Sequence, residues 1–195
     1  LHNTGTQLCL QRVIPFFQAP LGLTLTHDDS LLVVADWSNV TFIDAARAET
    51  SNQDAIAGSV PEQNNALAIE LVLSQDERYV FVANENLGTI GVINMQRIRA
   101  HDFSPDALFG FVPVNIGPLN VNSGAVGLAV SPDNRYLYVT SRIDTGDPSS
   151  QKTACYGYPP GTLSMVDIAR AEQNPAHAVL AHLFVGCGPV RVVLS

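Results

Sequence analysis

Two charged residues stand where the chain's own pattern calls for glycine. Three copies of one motif align Gly22, Glu70 and Gly127, and Arg191 holds the same place at the start of a fourth. A guanidinium there can grip an anion through its planar fork of donors. A carboxylate there can act as a base or as a cation ligand. The competing reading is a pair of solvated rim charges, which contribute little. A local rule broken without structural gain points toward function, so Glu70 and Arg191 are the candidates for catalysis or binding.

The other chemistry-bearing residues form no constellation. His2, His27, His101, His177 and His182 lack metal-ligand spacing. There is no Gly-x-Ser-x-Gly elbow, phosphate-binding loop or dinucleotide-binding glycine motif. No metal or cofactor is therefore assigned. Asp28, Asp29, Asp76 and Asp133 recur in polar turns, where turn chemistry accounts for them. Asn39-Val40-Thr41 is a glycosylation sequon at Asn39.

The elements that position these residues are β-hairpins. The clearest copy runs from Val126 through Ser131-Pro132-Asp133-Asn134-Arg135 to Thr140, and the others span residues 69–83 and 21–35. Each is an apolar run, a polar turn holding an Asp, and a second apolar run. A third strand follows and closes on Asp44, Asn94 or Asp167, each with an arginine three residues on. Asp or Asn there can bond backbone amides ahead of it and start a short helix. A fourth strand is expected near residues 55–60, 108–116 and 179–185. The repeats span approximately residues 21–66, 67–125 and 126–189, flanked by single strands at 7–17 and 190–195.

Four strands per repeat, with a period of roughly 40–50 residues plus insertions, fit a β-propeller blade. The fold expected is all-β, about three complete four-stranded blades of an incomplete ring forming a single domain over 1–195. The chain resembles the YVTN-repeat and lactonase-like seven-bladed propellers. The residues that carry the likeness are 131–140, the strand ends Phe42-Ile43-Asp44 and Met165-Val166-Asp167, and Val185-Gly186-Cys187-Gly188-Pro189. A three-blade arc leaves two open edges, so the expected partner is the remainder of the propeller chain or a completing subunit.

Propeller topology puts residues 36–39, 84–88, 119–125, 143–161 and 186–189 on one face, around the channel mouth. The insertion at 143–161 is long for a compact domain, and such loops are often functional. It carries Cys155, and Cys187 lies in the link beside it. A Cys155–Cys187 disulfide is expected to staple the insertion, with two free thiols as the alternative, and the bridge would imply an oxidising compartment. Cys9 has no assigned partner.

The net charge of −8, with Lys152 the only lysine, leaves no basic stripe for nucleic acid. No apolar run approaches the ~20 residues that span a bilayer. A start at Leu1 without methionine is what removal of a leader would leave. The expected function is a secreted or extracytoplasmic binding or scaffold protein that presents the channel-mouth loops to a ligand or protein partner. The alternative, implied by the resemblance, is a lactonase-like hydrolase or isomerase with Glu70 and Arg191 at the channel mouth.

Overall fold

The computed structural model describes residues 2–3, 8–9, 13–15, 18–50, 54–115, 124–142 and 160–194. A two-stranded ribbon, β1 (His2–Asn3) with β2 (Leu8–Cys9), precedes three four-stranded antiparallel sheets. Blade 1 comprises β3 (Pro20–Leu25), β4 (Leu31–Asp36), β5 (Asn39–Asp44) and, after helix α1 (Ala45–Thr50), β6 (Ile56–Pro61). Blade 2 is β7 (Ala68–Leu73), β8 (Tyr79–Asn84), β9 (Thr89–Asn94), helix α2 (Met95–Arg99) and β10 (Leu108–Pro113). Blade 3 is β11 (Ala125–Val130), β12 (Tyr136–Ser141), β13 (Gly161–Asp167), helix α3 (Ile168–Gln173) and β14 (Val179–Gly186). Strands pair in sequence order within each blade. The ribbon β1–β2 pairs with itself, and residues 13–15 form no strand.

The hairpin turns work as their composition predicts. Thr26, Ser74 and Ser131 donate their hydroxyls to Asp28, Asp76 and Asp133 at 2.6, 2.7 and 2.6 Å. Each hydroxyl also accepts the N–H of Leu31, Tyr79 or Tyr136, at 3.0, 3.1 and 2.9 Å. These bonds, led by the Thr26 and Ser131 hydroxyls, hold the Asp28 and Asp133 carboxyls below the ordinary carboxylate range. Burial pushes Asp76 up, but the bonds from Ser74 and the Arg78 N–H outweigh it and the net shift is downward. The next residue, Asp29, Glu77 or Asn134, takes a left-handed backbone with φ 56°, 51° or 58°. Two of these three reach across to the preceding blade. Glu77 accepts the His27 N–H, and Asn134 accepts the Gln75 N–H at 2.8 Å.

The helix starts also follow the sequence. Asp44 accepts from the Arg47 N–H, Asn94 from those of Gln96 and Arg97, and Asp167 from that of Arg170. Such caps satisfy backbone donors that the helix leaves free.

The core lies between blades. Val33, Val40 and Phe42 of blade 1 meet Leu71, Leu73, Val80 and Val82 of blade 2. Phe81, Ile90 and Val92 of blade 2 meet Leu128, Val130, Leu137 and Val139 of blade 3. Among the inner strands the approach is closer still. A Cβ on Gly22 would stand 2.5 Å from the Ile69 carbonyl oxygen and 2.9 Å from the Glu70 Cα. A Cβ on Gly127 would stand 2.8 Å from the Val190 carbonyl oxygen and 2.9 Å from the Arg191 Cα. Residues 190–194 pair with no strand, yet they lie on β11 as β7 lies on β3. The strand expected at 190–195 is thus not formed among the described residues, although the segment occupies an inner position beside β11.

Candidate functional site

Glu70 sits half-buried in β7, its backbone paired with Ala83 of β8. Arg191 is exposed. Both belong to inner segments and each faces a glycine of the blade before it, Gly22 or Gly127. They make no ion pair with one another among the described residues, and β11 runs between their segments. The structure therefore gives them equivalent places on two inner segments that β11 separates, without joining them.

Of the loops expected on one face, 36–39 and 84–88 are tied to the links at the same ends of the blades, whereas 119–123 and 143–159 lie outside the described residues. The Ala68 N–H bonds the Trp37 carbonyl, the Glu62 N–H that of Ser38, the Val114 N–H that of Gly88, and the Gly124 N–H that of Glu85. Glu85 also forms an ion pair with Arg142 across blades 2 and 3. Residues 143–159, including Cys155, lie outside the described residues. Cys187 is disulfide-bonded. Asn39 is half-buried at the first position of β5, and the sequon's Thr41 is buried with its hydroxyl 3.0 Å from that of Ser59.

Sequence reasoning missed a buried polar group on this face. Each second strand ends in a buried polar residue, Asp36, Asn84 or Ser141. Each of the three has a buried oxygen without a hydrogen-bond partner. Burial raises the Asp36 carboxyl, with the Ala19 N–H offsetting part of the rise. The signal was present in the strand endings Val34-Ala35-Asp36, Val82-Ala83-Asn84 and Val139-Thr140-Ser141, where a polar residue closes an apolar run.

Glu62 completes the group. It follows Pro61, the last residue of β6, and its N–H is held by Ser38. Its side chain turns inward and is 8% exposed. The carboxylate lies against the Gly91 Cα, in space that a Cβ on Gly91 would occupy. Asn84 Nδ2 donates to Glu62 Oε2 at 2.8 Å, while Glu62 Oε1 and Asn84 Oδ1 have no partner. Thr89 beside them donates to Gln63 at 3.0 Å. Desolvation pushes the Glu62 carboxyl up to about 7, and only the Asn84 bond opposes it. One proton on Glu62 would supply the donor that the two unpartnered oxygens lack. Among the described residues no three His, Cys, Asp or Glu side chains gather as a metal site, and no helix is long and apolar enough to cross a membrane.

Three four-stranded meanders in succession, packed face to face through inter-blade cores, define a β-propeller arc. No protein-family model and no curated protein matches the sequence. The fold is matched among solved structures. Hydrazine synthase of Kuenenia stuttgartiensis aligns over 97% of this chain and 41% of its own, with TM-score 0.60 and 18% identity. A 6-phosphogluconolactonase-like protein of Bacteroides fragilis aligns over 90% and 44%, with TM-score 0.60 and 15% identity. The Cps50 (Swd1) β-propeller domain of Myceliophteria thermophila aligns over 85% and 44%, with TM-score 0.55 and 13% identity. The chain thus spans less than half the length of these structures. At such identities the likeness shows the fold alone.

Proposed function

We propose that this arc belongs to an extracytoplasmic β-propeller that binds an anionic ligand, or an acidic group of a protein partner, at the inner-strand rim. The observation that supports it is the replacement of Gly22 and Gly127 by charged residues, Glu70 and Arg191, at equivalent inner positions. Arg191 supplies an exposed guanidinium and Glu70 a carboxylate that orients donors on the ligand. A suitable probe is 6-phosphogluconate, which carries both a phosphate and a carboxylate. In an NMR titration the wild-type chain is expected to bind it, and Arg191→Gly to bind about tenfold more weakly. Equal binding by both, or no binding by either, overturns the reading.

A lactonase-like activity is the second reading, favoured by the fold shared with the 6-phosphogluconolactonase-like protein. On that reading 6-phosphogluconolactone is opened, with Glu70 as base and Arg191 stabilising the oxyanion. Hydrolysis above the buffer rate that Glu70→Gln abolishes, assayed with and without chelator, selects this reading over simple binding.

The oxidising compartment is supported by the disulfide at Cys187. Its proposed partner is Cys155, which would staple the 143–161 insertion to the blade 3 link. Non-reducing peptide mapping is expected to recover one peptide pair containing both residues. Recovery of Cys187 joined to Cys9 would rule the staple out.

Ring completion by further blades is part of the same proposal. It is supported by the exposed apolar residues at both ends of the arc, Leu21 and Leu23 in blade 1 and Leu183 in blade 3.

A further inference from the structure

The face of blade 1 turned away from blade 2 carries what blades 2 and 3 use to hold the blade before them. On that face of blade 2, Leu71 and Leu73 are 5% and 8% exposed beneath blade 1. In blade 3, Leu128 and Val130 are 8% and 7% exposed beneath blade 2. Their counterparts in blade 1, Leu23 and Leu25, are 68% and 42% exposed. Leu21, Leu23, Leu32 and Ile14 line an apolar groove of ≈ 390 Å³ there.

The turn on the same face repeats the match in polar atoms. Glu77 and Asn134 each accept an N–H from the turn of the preceding blade. Asp29 holds the third copy of that position with the same left-handed backbone. Its carboxylate is exposed and has no partner among the described residues. Turn chemistry accounts for Asp28, Asp76 and Asp133, and it leaves Asp29 over. At the far end of the arc, the residue equivalent to His27 and Gln75 is Pro132. Proline has no N–H to offer.

We propose that this face docks a preceding propeller blade, distinct from the three described and joined N-terminally to β3 in the same polypeptide, with Asp29 clasping the turn N–H of that blade. This docking rests on the ring-completing reading above and names how the neighbour is recognised. Ile14, which precedes β3 in the chain, is already partly buried on this face against Val34 and Ile43. Blade 3 of a second copy lacks the N–H that Asp29 requires. Pro132 therefore makes blade 3 of a second copy a poor occupant of this face.

Sedimentation velocity of the 195-residue chain tests this with Pro132→Gln, Asp29→Ala and the double variant. Gln75 already occupies the equivalent place in blade 2, so glutamine suits the turn. Pro132→Ala also restores the N–H and replaces Pro132→Gln if circular dichroism shows that variant unfolded. Pro132→Gln is expected to tighten self-association about tenfold over wild type, as one charge-assisted bond does. Adding Asp29→Ala should abolish that gain. Failure of both N–H-restoring variants to associate more tightly than wild type overturns the proposal. Wild-type self-association weakened by Asp29→Ala also overturns it, because a second copy would then dock despite Pro132. Titration of 6-phosphogluconate on the same samples reads the rim separately, so loss of that binding with the Pro132→Gln gain intact sinks only the ligand reading.

Discussion

Replacing Gly22 by valine is expected to cost about 3 kcal/mol of stability, read as a lowered urea midpoint at unchanged slope. The new Cβ would stand 2.5 Å from the Ile69 carbonyl oxygen and 2.9 Å from the Glu70 Cα. Both are main-chain atoms of β7 and cannot swing aside as a side chain would. Two effects favour the substitution. Valine has the higher β-propensity, on a scale that spans about 1 kcal/mol. Removing a glycine also lowers the entropy of the unfolded chain, by about 0.4–1 kcal/mol. Neither compensates for parting β3 from β7, because that opens the core of Val33, Phe42, Leu71 and Leu73. Gly127→Val should follow the same direction with a smaller loss. Its contacts are the backbone of Val190 and Arg191, in an exposed segment that pairs with no strand and can shift. A Gly22→Val stability within about 0.5 kcal/mol of wild type, the range of ordinary surface changes, would show that β3 and β7 are not so close.

The second large effect is a pH dependence centred on Glu62. Its carboxyl is raised from the ordinary 4.5 to about 7 in the folded chain. The folded state therefore holds a proton that the unfolded state has released between those two values. Stability falls as pH rises through that window. The group costs nothing below about pH 4.5 and its full penalty applies above about pH 7. A shift of this size corresponds to about 3 kcal/mol. The only groups acting on the carboxyl are the desolvating surroundings and Asn84. Glu62→Gln keeps an acceptor for Asn84 and removes the charge. It is expected to flatten the profile, standing about 2–3 kcal/mol above wild type at about pH 8 and close to it at about pH 4.5. Urea unfolding at the two pH values checks it. Parallel profiles for the two proteins would mean that Glu62 is solvated or already paired.

Much of the architecture is legible locally. The three hairpins can be read because a hydroxyl and an Asp two residues on close a turn through bonds that span only five residues, as at Ser131, Asp133 and Tyr136. The short helices can be read because Asp44, Asn94 and Asp167 cap donors two or three residues ahead. Register follows from these markers, and with it the equivalence of Gly22, Glu70, Gly127 and Arg191.

What depends on contacts distant in sequence is not legible. Asp28 and Asp29 look like two turn residues of one kind, yet Asp28 is held by Thr26 and Ser30, while Asp29 takes the left-handed backbone of Glu77 and Asn134, whose side chains bond the preceding blade. Glu62 occupies an unpatterned link, and its burial against Gly91 and Asn84 arises only once blade 1 is set on blade 2.

The sequence by itself determined the repeat, its register and the turn chemistry, because each rests on interactions between near neighbours in the chain. It also marked the two charges at glycine positions. The tertiary structure alone decided why Gly22 and Gly127 are glycines, since a Cβ on either would meet the main chain of the next inner segment. It also decided that Glu70 and Arg191 are equivalent in pattern without being partners in space, since β11 lies between their segments. Propeller blades meet face to face through side chains far apart in sequence, so the distance between two such residues is set by the stacking of blades and not by any local rule.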